Sequence, residues 1–160
     1  MELDVRPLHN TDVLKDFWCG IEEMDIFIHE RLHHSVKYNF CKLFAVVAKN
    51  DEIVAMFALS FDSLRLDSDD KDDLQNEYSN TSSPIIPFSY NDTFWSKAHY
   101  PALEISYLAV SKQYQRKGIG RDIVKLIVDK AKNQNFAGCQ FITVEAYCTK
   151  KYSAIGFYQN

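Results

Sequence analysis

The chain has 160 residues, 46% hydrophobic, 14% aromatic and 25% charged, a composition that fits one packed domain and excludes a disordered chain. Its net charge of −4 argues against nucleic acid as a generic partner, since phosphate backbones recruit a Lys/Arg excess, although a local basic patch is not excluded by a total. No apolar run reaches the roughly 18 residues of a membrane span, and Met1-Glu2-Leu3-Asp4 lacks the basic and apolar blocks of a signal peptide, so a cytoplasmic protein without membrane contact is expected.

Leu3 to Leu8 alternates well enough for a first strand, and Asp12 to Cys19 reads as a short helix interrupted by Gly20. Ile21, Met24, Ile28 and Leu32 then recur at three- and four-residue steps, which predicts an amphipathic helix reaching about His34. Two β-rich runs, Lys42 to Ala48 and Ile53 to Ser60, flank Asn50-Asp51 and predict a hairpin. The stretch from Asp62 to Tyr100 differs in composition. Its first half is acidic (Asp67, Asp69, Asp70, Asp72, Asp73, Glu77), with a short helix expected around Asp69 to Glu77, and its second half collects Pro84, Pro87, Phe88, Tyr90, Phe94 and Trp95. Such a long connection reads as an insertion between two strands, and the acidic run as a solvated face whose sharper use would be to attract a polycationic acceptor.

Leu103 to Val110 predicts a strand, Ser111 to Lys117 a turn, and Gly118 to Asn133 a helix with an apolar face of Ile119, Ile123, Leu126, Ile127 and Ala131. Asn135 and Gly138 end that helix, Phe141 to Ala146 reads as another strand, and Ser153 to Gln159 has helical character. Hairpin strands followed by a strand–helix–strand unit predict a mixed α/β sheet in a single domain spanning 1–160.

Gln115-Arg116-Lys117-Gly118-Ile119-Gly120 lies between that strand and that helix, where a chain builds an anion site. The amides of the first helical turn have no internal acceptor, and the helix dipole favours negative charge. Gly118 and Gly120 let the backbone approach a bulky anion, and Arg116, Lys117 and Arg121 add positive charge, so a phosphate or diphosphate is the expected guest. The spacing is neither that of a Walker loop nor that of a dinucleotide turn. A rival string, His29-Glu30-Arg31-Leu32-His33, matches the zinc motif H-E-x-x-H on a predicted helix. It has no evident third ligand, and its histidines flank the apolar stripe, so no metal is expected. The cysteines Cys19, Cys41, Cys139 and Cys148 form no C-x-x-C pair and read as buried free thiols.

Leu108-Ala-Val-Ser-Lys-Gln-Tyr-Gln-Arg-Lys-Gly-Ile-Gly-Arg121 resembles the signature of the GNAT acyltransferases, Q/R-x-x-G-x-G/A after a strand ending in Leu-Ala-Val. Phe17-Trp-Cys-Gly20 with Met24-Asp-Ile-Phe27 resembles the opening of a subgroup that includes acetyltransferase toxins of toxin–antitoxin pairs, and Ile155-Gly-Phe-Tyr158 resembles the A-x-x-F-Y near that family's end. The resemblance covers the chain apart from the insertion. It implies a mostly antiparallel central sheet with splayed central strands flanked by helices. The family continues through Gly-Phe into a last strand, whereas this sequence stops at Asn160. An open sheet edge near the acceptor site is therefore expected, left by truncation or completed by a partner.

The resemblance further implies acetyl-CoA as cofactor. Amides from Gln115 through Arg121 (Gln115, Arg116, Lys117, Gly118, Ile119, Gly120, Arg121) would cradle its diphosphate. Leu108, Ala109 and Val110 would hold the pantetheine like an added strand, and one of their amides would polarise the thioester carbonyl. Glu104, where some members place a catalytic glutamate, would take the proton of the acceptor amine, directly or through water. Tyr158 would protonate the departing thiolate, its ordinary pKa of about 10 lying near the roughly 8.5 of a thiol. As ordinary structure, Glu104 would be a solvent-facing strand carboxylate and Tyr158 a packing aromatic.

The leading expectation is acetyl transfer from acetyl-CoA to a primary amine by direct attack. The acceptor is a small molecule or a protein amine on charge, or an aminoacyl-tRNA on the toxin-like opening. A zinc peptidase built on His29, Glu30 and His33, and a non-catalytic acyl-CoA-binding module, are the other classes. A homodimer is compatible with all of them.

Overall fold

The computed structural model describes residues 3–79, 91–149 and 152–159. Five strands form one sheet in sequence order: β1 (Leu3–Leu8), β2 (Lys42–Ala48), β3 (Ile53–Arg65), β4 (His99–Val110) and β5 (Phe141–Val144). The first four are successively antiparallel, and β5 joins β4 in parallel after a helical crossover, so the sheet is mixed as predicted. The β2–β3 hairpin turns at Asn50-Asp51, with Asp51 at φ 60°.

Helices cover both faces. On one lie α1 (Glu22–Glu30) and α2 (Leu32–Lys37), which drive Ile28 and Leu32 into a cluster with Leu14, Phe17, Leu43, Met56 and Ala109. On the other lies α5 (Ile119–Asn133), whose Ile119, Ile123 and Ile127 recur every fourth residue against Val46, Phe57 and Ile105. The single helix expected from Ile21 to about His34 is broken at Arg31, whose φ of −122° is not helical. Between Asp12 and Cys19 only the 3-10 turn Asp12–Leu14 forms. At the far end of that stretch the amides of Cys19 and Gly20 donate to the Asp25 carboxylate, so they serve a side chain and not a helix.

The insertion is shorter than its composition suggests. Strands β3 and β4 stay paired out to Arg65 and His99, so Asp62–Arg65 and His99–Tyr100 belong to the sheet and the connection runs only from 66 to 98. The strand was expected to end at Ser60 because Asp62 and Ser63 after it are polar; both are exposed in the sheet. The connection carries α3 (Ser68–Ser79), as expected around Asp69 to Glu77, and α4 (Asn91–Ser96); Pro84, Pro87, Phe88 and Tyr90 lie outside the described residues. A third cluster of Leu66, Phe94 and Tyr100 anchors it, with the Tyr100 hydroxyl donating to the carbonyl oxygen of Phe94 at 2.6 Å. The short α6 (Ile155–Tyr158) follows β5, whose strand ends at Val144 instead of continuing to Ala146.

One irregularity interrupts the β3–β4 pairing. Ala58 pairs with Tyr107 but Leu59 with Ile105, which leaves Ser106 unpaired in a β-bulge. The bulge shifts the alternation, so Leu103 and Ile105 before it and Leu108 and Val110 after it all reach the α5 side.

Candidate active site

Strands β4 and β5 pair only from Ala102 to Ile105. Beyond that point β4 continues to Val110 while the chain after Val144 leaves the sheet, and a cavity of about 1180 Å³ opens between them. Its wall runs along Ser106 to Val110, through Gln115 and Arg116 to the start of α5, and back along Glu145 to Cys148 and α6.

The loop at one end is built as the sequence suggests, though its parts divide the labour differently. Arg116 at φ 59° and Gly118 at φ 85° both stand in the left-handed region. Alternation of this kind turns successive N–H groups toward one concavity. The first helical bond of α5 runs from the Asp122 amide to the Gly118 carbonyl, so the amides of Ile119, Gly120 and Arg121 precede the helix ladder. A Cβ on Gly118 would meet nothing within 4 Å; what this position requires is its dihedral angle. A Cβ on Gly120 would stand 3.1 Å from the Phe157 ring, so this glycine makes room for α6.

The Gln115 side chain turns inward and donates to the carbonyl oxygens of Cys19 at 2.7 Å and Val110 at 3.0 Å. The Lys112 amide donates to the Trp18 carbonyl at 2.9 Å. These bonds fasten the loop to the Cys19-Gly20 turn, which in turn hangs on the buried carboxylate of Asp25. Arg116 and Arg121 reach the wall, whereas Lys117 stays outside it with its ammonium 4.9 Å from the centre of the Tyr114 ring.

Tyr158 is half-buried in the cavity wall, and burial, then the neighbouring Tyr152, pushes its hydroxyl above the ordinary tyrosine range. It therefore keeps its proton at neutral pH, as an acid must. Glu104 is not on the wall. Its Oε2 lies behind it, accepting from the Ser60 hydroxyl at 2.7 Å and the Ser106 hydroxyl at 3.1 Å. Tyr107 and Tyr147 do line the cavity. Burial raises both, helped by Cys41 at Tyr107 and by the charge of Glu23 and a hydrogen bond to it at Tyr147. The cavity thus brings together Leu108, Ala109, Val110, the Gln115–Arg121 loop apart from Lys117, and Tyr158.

Sequence reasoning missed Asp25, Ser60 and Ser106. Asp25 sat inside a quoted motif without a role. Ser106 carried no signal, because a bulge is a property of pairing and is invisible along one strand.

The zinc string does not assemble. The break at Arg31 separates His29 on α1 from His33 on α2. The His29 Nε2 lies 3.2 Å from the Leu14 carbonyl, and its ring packs on Trp18 at 4.4 Å. Among the described residues no group of three or more His, Cys, Asp or Glu side chains is placed to hold a metal ion, and no helix is long and apolar enough to cross a membrane.

A family model described as the acetyltransferase (GNAT) family matches residues 10–160. Among solved structures, AtaT complexed with acetyl-methionyl-tRNAfMet superposes with a TM-score of 0.67 at 16% identity, covering 99% of this chain and 84% of that one. A tyrosine-to-phenylalanine mutant of KacT gives 0.65 at 18% identity over 99% and 85%. A mutant of the toxin AtaT bound to the C-terminus of the antitoxin AtaR and acetyl-CoA gives 0.65 at 15% over 99% and 82%. At such identities the likeness is one of fold.

Proposed function

The chain belongs to the GNAT acetyltransferase family, and we propose that it moves the acetyl group of acetyl-CoA onto the α-amino group of an aminoacyl-tRNA by direct attack. The observation that carries the reading is the continuous cavity joining the anion-binding loop to Tyr158 along the unpaired side of β4. The acceptor class is supported by the likeness to AtaT, which was solved with acetyl-methionyl-tRNAfMet.

The net charge of −4 is less of an obstacle than it looks. Helix α3 holds five carboxylates and Lys71, a net −4 that equals the total for the chain, so the remainder is formally neutral. Leu74 packs that helix near Tyr100. At about 3.3 Å per residue along β4, Tyr100 stands roughly 17 Å before Ile105, where the strand begins to line the cavity.

Acetyl-CoA supplies an acetyl group activated as a thioester. The amides of Ile119, Gly120 and Arg121, with Arg116 and Arg121 beside them, would hold its diphosphate. Main-chain groups of Leu108 to Val110, with no strand partner on the β5 side among the described residues, would hold the pantetheine, and an amide there would polarise the carbonyl. Tyr158 would donate its proton to the leaving sulfur, and Glu104 would receive the amine's.

The test is incubation of the purified protein with acetyl-CoA and, in parallel, methionyl-tRNA, free methionine and a lysine peptide, followed by mass spectrometry. Acetyl-methionyl-tRNA is expected from the first alone. Acetylation of only the peptide or the free amino acid would move the acceptor, and CoA binding without any turnover would reduce the protein to a binding module. Tyr158→Phe should lower kcat by about 10²- to 10⁴-fold with unchanged calorimetric affinity for CoA; equal rates would strip the tyrosine of its role.

A further inference from the structure

We infer that Ser106, the bulge residue in the cavity wall, relays the acceptor amine's proton to Glu104. The inference rests on the transfer reading above and supplies the path that Glu104 lacks by itself.

Ser106 lines the cavity and Glu104 does not. The two hydroxyls and the carboxylate form a closed triangle: Ser60 to Glu104 at 2.7 Å, Ser106 to Glu104 at 3.1 Å, and Ser60 to Ser106 at 2.7 Å. Three contacts share only two hydroxyl protons. One edge is always without a hydrogen, so the protons can be redistributed among the three groups. When Ser106 donates to Glu104, its lone pairs are left for a donor in the cavity.

Other groups near the carboxylate are engaged or unsuited. Thr143, opposite Glu104 on β5, donates to Asp62 at 2.7 Å. Tyr107 is hydrogen-bonded to Ser35. The thiol of Cys41 is held neutral by burial and by the Glu104 charge. Ser106 remains as the group that touches both the cavity and the carboxylate.

In the step, a C–N bond forms and the C–S bond breaks. The amine proton passes to the Ser106 Oγ as the Ser106 proton passes to a Glu104 carboxylate oxygen, and the Tyr158 proton goes to sulfur. Glu104 then returns its proton to solvent and Tyr158 takes one up, which restores the starting state.

The test uses Ser106→Ala, Ser106→Thr, Glu104→Gln and the double variant Ser106→Ala/Glu104→Gln. Each is assayed with acetyl-CoA and methionyl-tRNA, and separately with excess n-butylamine, a bare primary amine that keeps the relay measurable if the tRNA reading fails. Ser106→Ala should lower kcat about 100-fold, with KM for acetyl-CoA and calorimetric CoA affinity unchanged. Ser106→Thr should recover most of the rate, and the double variant should be no slower than the slower single one. In the substrate-free protein, the carboxylate infrared band lost in Glu104→Gln should shift in Ser106→Ala. Wild-type kcat in Ser106→Ala, additive losses, a parallel loss of CoA affinity or an unmoved band would each overturn the relay.

Discussion

Gly118 combines two properties that most substitutions change together, and they can be separated. Its φ of 85° strains any L residue, while the space beside it is open. Asparagine and aspartate have the same shape and both tolerate this region better than other residues, so each should destabilise the fold by about 1 kcal/mol. Only the aspartate adds a charge facing the diphosphate loop. Gly118→Asn should therefore bind CoA within a few-fold of wild type, and Gly118→Asp at least about tenfold more weakly, a difference of roughly 1.4 kcal/mol. Calorimetric titration of both variants checks this, and equal affinities would remove the anion from the loop. The glycine pair between a strand and a helix was readable in the sequence, and its use as an anion site is what the titration tests. That Gly120 serves Phe157 was not readable, because the contact joins segments far apart in the chain.

The loop and the N-terminal helices act as one unit through Asp25. This carboxylate is 5% exposed and accepts from the Cys19 amide at 2.8 Å and the Gly20 amide at 2.9 Å, while the Cys19 carbonyl receives Gln115. Asp25→Ala would leave two inward amides without an acceptor, at about 1–3 kcal/mol for each such group. A loss of roughly 2–4 kcal/mol in urea unfolding is expected, together with weaker CoA binding as Gln115 loses its anchor. Asp25→Asn keeps one acceptor oxygen and should lose less than half as much. Unchanged CoA affinity in a folded Asp25→Ala protein would show that the turn does not brace the loop. Element type and order were largely readable from periodicity, most securely for α5, where isoleucines recur every fourth residue on a polar background. Boundaries failed where side chains replaced backbone partners, as at Cys19-Gly20, and where polar residues continued a strand, as at Asp62 to Arg65.

Taken as a whole, the molecule keeps several acidic protons in its interior that an unfolded chain would release in base. Burial, with the Asp25 carboxylate adding to it, pushes the Cys19 thiol from an ordinary 9.0 up to about 12, and burial raises Tyr107 and Tyr158 above 10.0. Below about pH 9 the folded and unfolded chains hold these protons alike. Between about pH 9 and 12 the unfolded chain gives up the thiol proton that the folded chain keeps, so it binds fewer protons and stability falls as pH rises. The tyrosines add to the slope from about pH 10. Urea midpoints should thus decline steadily above about pH 9, and Cys19→Ala should decline less steeply whatever its starting stability. The acidic run that became α3 was readable in the sequence, but the burial of the thiols was not: Cys19 and Cys41 are buried, whereas Cys139 is half-buried and Cys148 exposed, because burial depends on contacts between distant segments. A Cys19→Ala slope equal to wild type would mean that this thiol titrates freely and that the turn beneath the loop is open to solvent.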